Sequence, residues 1–400
     1  MAGLRDVFAV PGYRRLWGAR TVSQWGDTVN FVALALLIYE LTGSGLGVSA
    51  VVAAEIAAVL LLAPVAGPLV DRWPWVRVMV CADLFRGVLA GLLVVWHDSA
   101  AVVYVVAFAM SVGAVFFNPA ASSVLPGLLG RDELVAANSG IWTAAVVSQI
   151  VLAPLAGVLV TVAGYGPAFA LNAVSYAVSA MVLAGLRVPG PADHLVRGRL
   201  LVEASEGVRV LVGDRLLRAL AAGQLLAALS AGATSALLVV LAEDRLGAGG
   251  SGYGLLISAI GIGAALGPLV LLRLTRRPRR PLFVFAPFAL RGMVDLVMAI
   301  TTALPVAAAA LAAYGLGTST GAITFNSLLQ AETPGHARGR VFASMDVIWQ
   351  AGRLVSLAAG GLLADTFGIQ TVYYLGGLLL LAAAATGLTT LNPRPAKPRR

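Results

Sequence analysis

The chain has 400 residues, of which 59% are apolar and 12% are charged, and its formal net charge at pH 7 is +9. A water-soluble protein of this length could not bury so much apolar surface, so the composition excludes a soluble globular domain and predicts a protein embedded in a lipid bilayer. The arginines lie in short gaps between apolar runs rather than in one patch, which excludes nucleic acid as the partner.

About twelve apolar runs are long enough to cross a bilayer, since a helix needs roughly 20 apolar residues to span the hydrocarbon. The first six runs are residues 16–41, 46–70, 76–96, 100–124, 141–163 and 166–186. The last six are residues 217–241, 252–274, 282–304, 306–329, 341–364 and 371–391. Between the two sets, residues 187–216 are predicted to form a cytoplasmic linker with an amphipathic helix that lies on the inner membrane surface or against the cytoplasmic ends of the bundles. Residues 392–400 form a basic, proline-rich tail that is expected to be disordered.

The distribution of positive charge predicts how these runs are oriented. One set of alternating gaps is rich in arginine, for example Arg72 and Arg77 after the second run, whereas the other gaps contain little beyond Arg245. Because short loops with positive charge remain in the cytoplasm, the basic gaps and both basic termini are assigned to that side.

Three short matches between the two halves of the chain indicate an internal repeat. The matches are Gly67-Pro68-Leu69-Val70 with Gly267-Pro268-Leu269-Val270, Arg86-Gly87 with Arg291-Gly292, and Phe117-Asn118 with Phe325-Asn326. Because they fall in equivalent runs and in register, they predict two related six-helix bundles, residues 1–186 and 217–391. The predicted fold class is therefore an all-α membrane protein with twelve transmembrane helices in two pseudo-symmetric bundles.

Several motifs along the chain are similar to those of one transporter family. They are Gly67, Leu69, Asp71 and Arg72 in the loop after the second run, and Tyr13-Arg14-Arg15-Leu16-Trp17, Gly26-Asp27, Tyr39-Glu40-Leu41-Thr42-Gly43-Ser44 and Ala137-Asn138-Ser139 elsewhere. On these residues the chain resembles the major facilitator superfamily (MFS), and within it the bacterial exporter branch that includes macrolide-efflux and enterobactin-exporter-like proteins. The resemblance implies the MFS fold and proton-driven export by alternating access. The chain departs from the family pattern at Pro74, which replaces a glycine, and in the run 100–124, which lacks the arginine that many antiporters carry there.

Two carboxylates lie inside apolar runs, Asp27 near the middle of the first run and Glu55 within the second. An ionisable group at the centre of the bilayer costs at least ~2.5–3.5 kcal/mol, so its presence needs a reason. Neither residue has a basic residue within one helical turn, which suits a group that binds and releases a proton. Both are therefore predicted to be proton-coupling residues. The alternative is a carboxylate that stabilises helix packing through hydrogen bonds.

The charged loop after the second run is predicted to act as a conformational latch. Asp71 could accept hydrogen bonds from the start of a helix or pair with a loop arginine, and so hold one conformation closed. Gly67, Arg72, Arg77 and Arg86 are assigned to the same latch.

Two pairs of opposite charges lie at helical spacing in the third and ninth runs. Asp83 and Arg86 are spaced i, i+3, and Arg291 and Asp295 are spaced i, i+4, so each pair shares one face of its helix. Both pairs are interpreted as ion-paired structural anchors.

Polar and aromatic side chains within the runs are the candidates for contact with a substrate, because in the resembling family the helices that carry them surround the central cavity. The predicted cavity residues are Gln24, Trp25, Asn30, Asn118, Gln149, Gln224, Asn326 and Arg353. An unbonded amide is costly in hydrocarbon, so hydrogen bonding between helices is an equally good interpretation of the amides. For Arg353, pairing with a carboxylate on another helix is the favoured alternative.

The sequence contains no motif typical of a catalytic, metal or cofactor site. The three histidines lie in loops, away from any Cys/His cluster with metal spacing, and no phosphate-binding Gly-Lys-Ser or Gly-Lys-Thr occurs. The single cysteine, Cys81, excludes a disulfide framework and is expected to be a small buried apolar residue. The chain is therefore not predicted to be an enzyme, and no cofactor is expected.

Together these patterns predict a monomeric secondary transporter of the inner (cytoplasmic) membrane that exports a small amphipathic organic compound in exchange for protons. The predicted partners are the small-molecule substrate, the proton and the lipid bilayer. Two alternatives stay open. One is an importer with the same fold, and the other, from a different class, is a polytopic receptor or accessory protein that transports nothing.

Overall fold

Residues 4–70, 72–130, 132–188, 209–274, 281–333 and 338–391 are described by the structure, a computed structural model. Within these ranges the backbone forms helices and no strand, which confirms the predicted all-α class. The first half contains α1 Leu4–Ala9, α2 Pro11–Thr42, α3 Gly45–Val70, α4 Trp75–Val95, α5 Ala100–Leu128, α6 Leu134–Ala163 and α7 Tyr165–Ala184. The second half contains α8 Arg215–Ala236, α9 Gly249–Leu274, α10 Pro281–Ile300, α11 Leu304–Glu332, α12 Arg338–Phe367 and α13 Ile369–Leu391. A short helical segment, Leu238–Val240, and a π-helical turn, Leu241–Arg245, lie between α8 and α9.

Ten of these helices, α3 to α12, are long and apolar enough to cross a membrane. The helix α2 has 32 residues but carries several charged ones, and α13 has a shorter apolar stretch, Ile369–Ala385. The count of twelve spans and the cytoplasmic placement of both termini therefore stay predictions. Most of the predicted linker 187–216 and all of the tail 392–400 lie outside the described residues.

Local sequence signals determine where several helices begin and end. Pro74, with φ −60°, directly precedes α4, and because proline has no amide hydrogen to continue a helix, it separates α4 from α3. Gly43 ends α2 in the left-handed conformation, with φ 58°. Asp214 caps α8, because its carboxylate accepts hydrogen bonds from the amides of Leu216 and Leu217 at 2.8 and 2.9 Å.

Contacts between helices divide the chain into two compact units, Met1–Leu195 with Leu238–Gly261, and Val196–Leu237 with Ile262–Arg400. Two hydrogen bonds help to fasten residues 238–261 to the first unit. Tyr39 donates its hydroxyl to Oδ1 of Asp244 at 2.5 Å. Ser258 donates its hydroxyl to the carbonyl oxygen of Ile150 at 2.6 Å. The bundle boundaries inferred from the sequence, 1–186 and 217–391, stay a prediction.

The same pairs of helices pack together in each unit. In the first unit, α2 packs against α6 and α7, and α4 packs against α5 and α7. In the second unit, α8 packs against α12 and α13, and α10 packs against α11 and α13. Because equivalent helices follow in the same order, this packing agrees with the internal repeat found in the sequence.

Cys81 is exposed on α4, so the expectation that it is buried is wrong. It lines an apolar groove with Trp73, Phe85 and Phe116. Apolar residues occur on every face of a membrane helix, because the outer face contacts lipid and the inner face contacts protein. The composition of the run therefore did not distinguish the two faces.

Gly263 on α9 is expected to be intolerant of any side chain. A Cβ at this position would lie 1.8 Å from the carbonyl oxygen of Ala312 and 2.8 Å from the amide nitrogen of Leu316, both backbone atoms of α11. Because two helix backbones cannot separate locally without losing their contacts, Gly263→Ala should destabilise the protein by about 1–3 kcal/mol or more. Thermal unfolding of purified protein in detergent measures the effect.

Gly91 provides the matched control for this substitution. It also lies inside a membrane-spanning helix, α4, but a Cβ there would meet no atom within 4 Å. Gly91→Ala is expected to leave the melting temperature unchanged or to raise it, since alanine favours helix more than glycine by about 1 kcal/mol. Equal melting temperatures for the two variants would contradict the close packing at Gly263.

Candidate functional site

A buried cluster of charged and hydroxyl side chains joins α2, α4 and α7 inside the first unit. Arg86 and Asp83 form an ion pair with Nη2 2.5 Å from Oδ1, and the two residues are only 6% and 0% exposed. Ser179 donates its hydroxyl to the other carboxylate oxygen of Asp83 at 2.6 Å. Tyr176 donates its hydroxyl to Asp27 and accepts a hydrogen bond of 3.4 Å from Nη1 of Arg86. The ion pair expected from helical spacing is confirmed for Asp83 and Arg86, and Tyr176 connects it to Asp27.

The guanidinium of Arg86 is held in place by aromatic rings. Its central carbon lies 4.4 Å from the ring centre of Tyr176 and 4.8 Å from that of Phe117, which are distances typical of cation–π contacts. Gly113 leaves room for the aliphatic part of the side chain, since a Cβ there would lie 2.7 Å from Cγ of Arg86. Arg86 therefore belongs to the buried cluster, and its predicted part in the latch stays a prediction.

Asp27 has a hydroxyl group, and not a guanidinium, as its direct partner. Among the described residues, no basic nitrogen lies within 4.0 Å of its carboxylate. Arg86 acts on it only at longer range, beyond Tyr176. Asp27 is partly buried, so its charge is neither fully solvated nor directly paired. Glu55, the second predicted proton carrier, is partly buried on α3.

In the second unit, Arg291 lies on α10 at the position that repeats Arg86, but its contacts differ. Nη2 of Arg291 donates to the hydroxyl of Tyr314 at 2.8 Å, and the guanidinium carbon lies 4.7 Å from the centre of that ring. Asp295 instead accepts a hydrogen bond of 3.2 Å from Ser230. The charged atoms of Arg291 and Asp295 do not approach within 4.0 Å, so the ion pair expected from their spacing is wrong.

The second unit contains a cavity of about 310 Å³ between α8, α10, α11 and α12. Its walls are mostly apolar and include the aromatic side chains Phe288, Phe325, Phe342 and Trp349. Its polar lining is formed by Gln224, Arg291, Thr318, Asn326 and Asp346. Two predicted cavity residues, Gln224 and Asn326, are thus brought together. A cavity of this size with few polar groups is typical of a site for a small organic ligand.

The first unit contains two neighbouring hollows that share Trp17 and Thr21. One has a volume of about 440 Å³ and is lined by Gln24 together with Arg20 and Trp142, among others. The other has a volume of about 490 Å³ and is lined mostly by apolar side chains, including Trp25. Gln24 and Trp25, both predicted as cavity residues, therefore line adjacent hollows rather than one.

The remaining predicted cavity residues lie elsewhere. Gln149 donates a hydrogen bond of 3.4 Å to the carbonyl oxygen of Ile257, as the packing alternative for the amides anticipates. Asn118 is exposed, and Oδ1 of Asn30 is buried without a hydrogen-bond partner among the described residues. Arg353 donates a hydrogen bond of 3.4 Å to Gln350 on its own helix.

The predicted latch is only partly visible. Asp71, its central residue, lies outside the described residues. Arg72 and Arg77 are exposed on either side of Pro74, and Gly67 lies in the last turn of α3. The latch therefore stays a prediction.

Sequence reasoning missed three residues that the structure places at these sites. Arg20 lines the hollow of Gln24, and it could have been found by the signal that identified Asp27, an ionisable residue inside an apolar run. Tyr176 and Tyr314 hold the two buried arginines. A tyrosine in a membrane helix is common, so no signal in the sequence marked these two as partners of arginine.

Comparisons with known proteins agree with this architecture. The family model described as Major Facilitator Superfamily matches residues 16–357 and 220–400. Multidrug efflux pump Tap of Mycobacterium tuberculosis is 28% identical over 381 residues, which cover 92% of this chain and 90% of that protein. Macrolide efflux protein A of Streptococcus pyogenes is 23% identical over 382 residues, which cover 92% of this chain and 93% of that protein.

Among solved structures, the nucleoside transporter NupG superposes with a TM-score of 0.78 at 11% identity, covering 96% of this chain and 100% of that one. An inward-facing bacterial homolog of the human lysosomal transporter Spinster gives 0.77 at 12% identity, covering 95% and 96%. At such identities the likeness shows the fold alone. Together with the family match over residues 16–400, this shared fold confirms the resemblance drawn from the sequence motifs. The chain is a multi-pass membrane transporter and belongs to the Major Facilitator Superfamily.

Proposed function

We propose that this transporter exports small amphipathic organic compounds, such as drugs or secreted metabolites, in exchange for protons. The observation that carries the proposal is the cavity of the second unit, about 310 Å³ in volume, in which aromatic walls surround Gln224 and Asn326. Such a lining binds an apolar body and fixes its orientation through a few hydrogen bonds. The relatives named as efflux proteins for multiple drugs and for macrolides support the export direction.

Asp27 is the proton carrier in this proposal. A carboxyl group that contacts a hydroxyl, and is not locked to a guanidinium, can gain and lose a proton without breaking an ion pair. Asp83 cannot do so as readily, because Arg86 and Ser179 bond both of its oxygens. Glu55 is proposed as a second carrier on the ground of its position inside α3.

The protein is further proposed to act as a monomer in the cytoplasmic membrane, with both termini in the cytoplasm and twelve spans in two bundles. Transport follows alternating access, in which the loop of Asp71, Arg72 and Arg77 holds one conformation closed. The arginine-rich gaps between spans support this orientation, since positive loops remain on the cytoplasmic side.

Transport in inside-out membrane vesicles tests the proposal. Vesicles that contain the protein and are energised by respiration have an acidic lumen, so a proton-coupled exporter should accumulate at least one radiolabelled compound from a panel of amphipathic drugs inside them. We expect accumulation several times above that of vesicles without the protein, and its collapse when a protonophore removes the gradient. Respiring vesicles without the protein provide the control for passive entry of the drug.

The two alternatives predict different results in the same vesicles. An importer would release preloaded substrate from the lumen when the gradient forms. A receptor or accessory protein would change neither uptake nor release for a macrolide or any compound of a lipophilic drug panel. Either result would contradict export.

A further inference from the structure

We propose that the cavity of the second unit binds the acidic group of an amphipathic organic anion, with Arg291 as its partner. This inference rests on the proposed function and deepens it, because it assigns a chemical class to the exported compound.

The hydrogen bonds of Arg291 are incomplete. Arg291 lines the cavity and is 6% exposed. A guanidinium carries five N–H donors, of which one, on Nη2, donates to Tyr314 at 2.8 Å. Among the described residues, Nε has no hydrogen-bond partner and no carboxylate oxygen lies within 4.0 Å of the side chain. A buried cation with unmet donors is unfavourable, so the site is suited to a ligand that supplies the missing acceptor.

Arg86 shows how the charge of the same residue is neutralised when the protein supplies its own acid, although among the described residues its Nε has no hydrogen-bond partner either. There Asp83 contacts the guanidinium at 2.5 Å. The cavity side of the second unit lacks an acid in the equivalent position, and Phe288 stands there instead. The second unit therefore retains the arginine of the repeat, as Arg291, but has no carboxylate at the position equivalent to Asp83, which here faces a cavity.

Two other acids in the second unit bear on the charge of the ligand. Asp295, one turn along the same helix, bonds to Ser230 and acts on Arg291 only at longer range, so it offsets the charge without occupying the donors. Asp346 lines the cavity but is exposed, and it would repel a second acidic group. These two carboxylates therefore oppose a ligand that carries more than one acidic group.

The other walls suit the apolar body of such a ligand. Phe288, Phe342 and Trp349 provide flat apolar surfaces, and Gln224 and Asn326 provide hydrogen bonds for neutral substituents. A carboxylate can accept two parallel hydrogen bonds from a guanidinium, which fixes the orientation of the ligand as well as its position.

A series of probes with one apolar body and different charges tests the proposal on the purified full-length protein in neutral detergent. The probes are pyrenebutyrate, pyrenebutanol and pyrenebutylamine. Binding in this cavity is measured as fluorescence energy transfer from Trp349 to pyrene. The contribution of Trp349 is the difference in transfer between the unmodified protein and Trp349→Phe. We expect the carboxylate to bind about tenfold more tightly than the alcohol, and the amine to bind most weakly. Equal affinities, or tighter binding of the amine, would overturn the proposal.

Substitutions in the cavity test whether Arg291 causes the preference for the carboxylate probe. Arg291→Gln is expected to lose about tenfold or more in affinity for pyrenebutyrate and less than about twofold for pyrenebutanol. Arg291→Lys, which keeps the charge but not the planar fork, should give an intermediate affinity. The matched control is Asp346→Asn, which removes the opposite charge from the same cavity and should keep or raise the affinity for the carboxylate.

Unchanged carboxylate binding in a folded Arg291→Gln protein contradicts the assignment. If that variant does not fold, as judged by size-exclusion chromatography, Arg291→Lys and the charge preference of the unmodified protein decide.

An acid on an apolar body could also be the headgroup of an anionic lipid. Phosphatidylglycerol added to the detergent distinguishes the two sources. If it leaves the binding of pyrenebutyrate unchanged, the cavity takes a soluble compound, and if it displaces the probe competitively, the assignment to the exported compound is wrong. Binding is measured here without transport, so the two proposals can fail separately. If the protein exports drugs but does not prefer pyrenebutyrate over the alcohol and the amine, only this inference is refuted. If it shows that preference but transports no compound, only the proposed export is refuted.

Discussion

Asp27→Asn is expected to slow proton-driven export by about 100-fold, the lower end of what a positioned proton-transfer group contributes, so that accumulation in inside-out vesicles falls to the level of vesicles without the protein. Asparagine is close to aspartic acid in shape and can still accept a hydrogen bond from Tyr176, so the cluster around Arg86 should persist. It cannot take up a proton, so the inward movement of protons can no longer drive export. Accumulation at a fixed pH gradient measures the loss.

The variant should still exchange substrate across the membrane without a gradient. Asp27 lies in the first unit and takes no part in the cavity of the second unit, so binding there is expected to persist. The control is Asp98→Asn, the same chemical change at a side chain that is 93% exposed, and it should leave accumulation unchanged. Full coupled accumulation by Asp27→Asn would remove Asp27 from the mechanism. If Asp27→Asn also lost substrate exchange without a gradient, the variant would be defective in transport as a whole and not in proton coupling.

The positions of the helices could be predicted closely from the sequence, because the thickness of the bilayer sets their length. The runs 46–70 and 76–96 differ by about one residue from Gly45–Val70 and Trp75–Val95. The run 100–124 ends one turn before α5, which continues to Leu128, since a helix need not stop where its apolar sequence stops. The faces of the helices were harder to predict, as Cys81 shows, because lipid and protein both contact apolar side chains.

Contacts between charged side chains could be predicted only within one helix, and not in every case there. The spacing of Asp83 and Arg86 correctly gave an ion pair, because the two side chains meet on one helix face. The same reasoning failed for Arg291 and Asp295, since Tyr314 and Ser230 on other helices bind them instead. Distances between helices do not appear in a single sequence. For the same reason, the connection of Asp27 to Arg86 through Tyr176 could not be predicted.

Arg86→Met is expected to destabilise the protein by about 3–5 kcal/mol, because it leaves the carboxylate of Asp83 buried without its counter-ion. Asp83 is 0% exposed and would retain only the hydrogen bond from Ser179. Thermal unfolding in detergent measures the loss. Adding Asp83→Asn to Arg86→Met should restore much of it, since removing both charges also removes the unpaired one.

Arg291→Met is the matched comparison, because it removes an equally buried arginine that has no carboxylate within 4.0 Å among the described residues. Its loss should be smaller than that of Arg86→Met, and it should be less affected by Asp295→Asn, because the charged atoms of Arg291 and Asp295 do not approach within 4.0 Å. The two double-mutant cycles thus separate an arginine that neutralises a buried acid from one whose donors are left for a ligand. Equal coupling energies in both cycles would mean that Arg291 is a structural anchor like Arg86, and the assignment of a ligand to the second cavity would lose its physical basis.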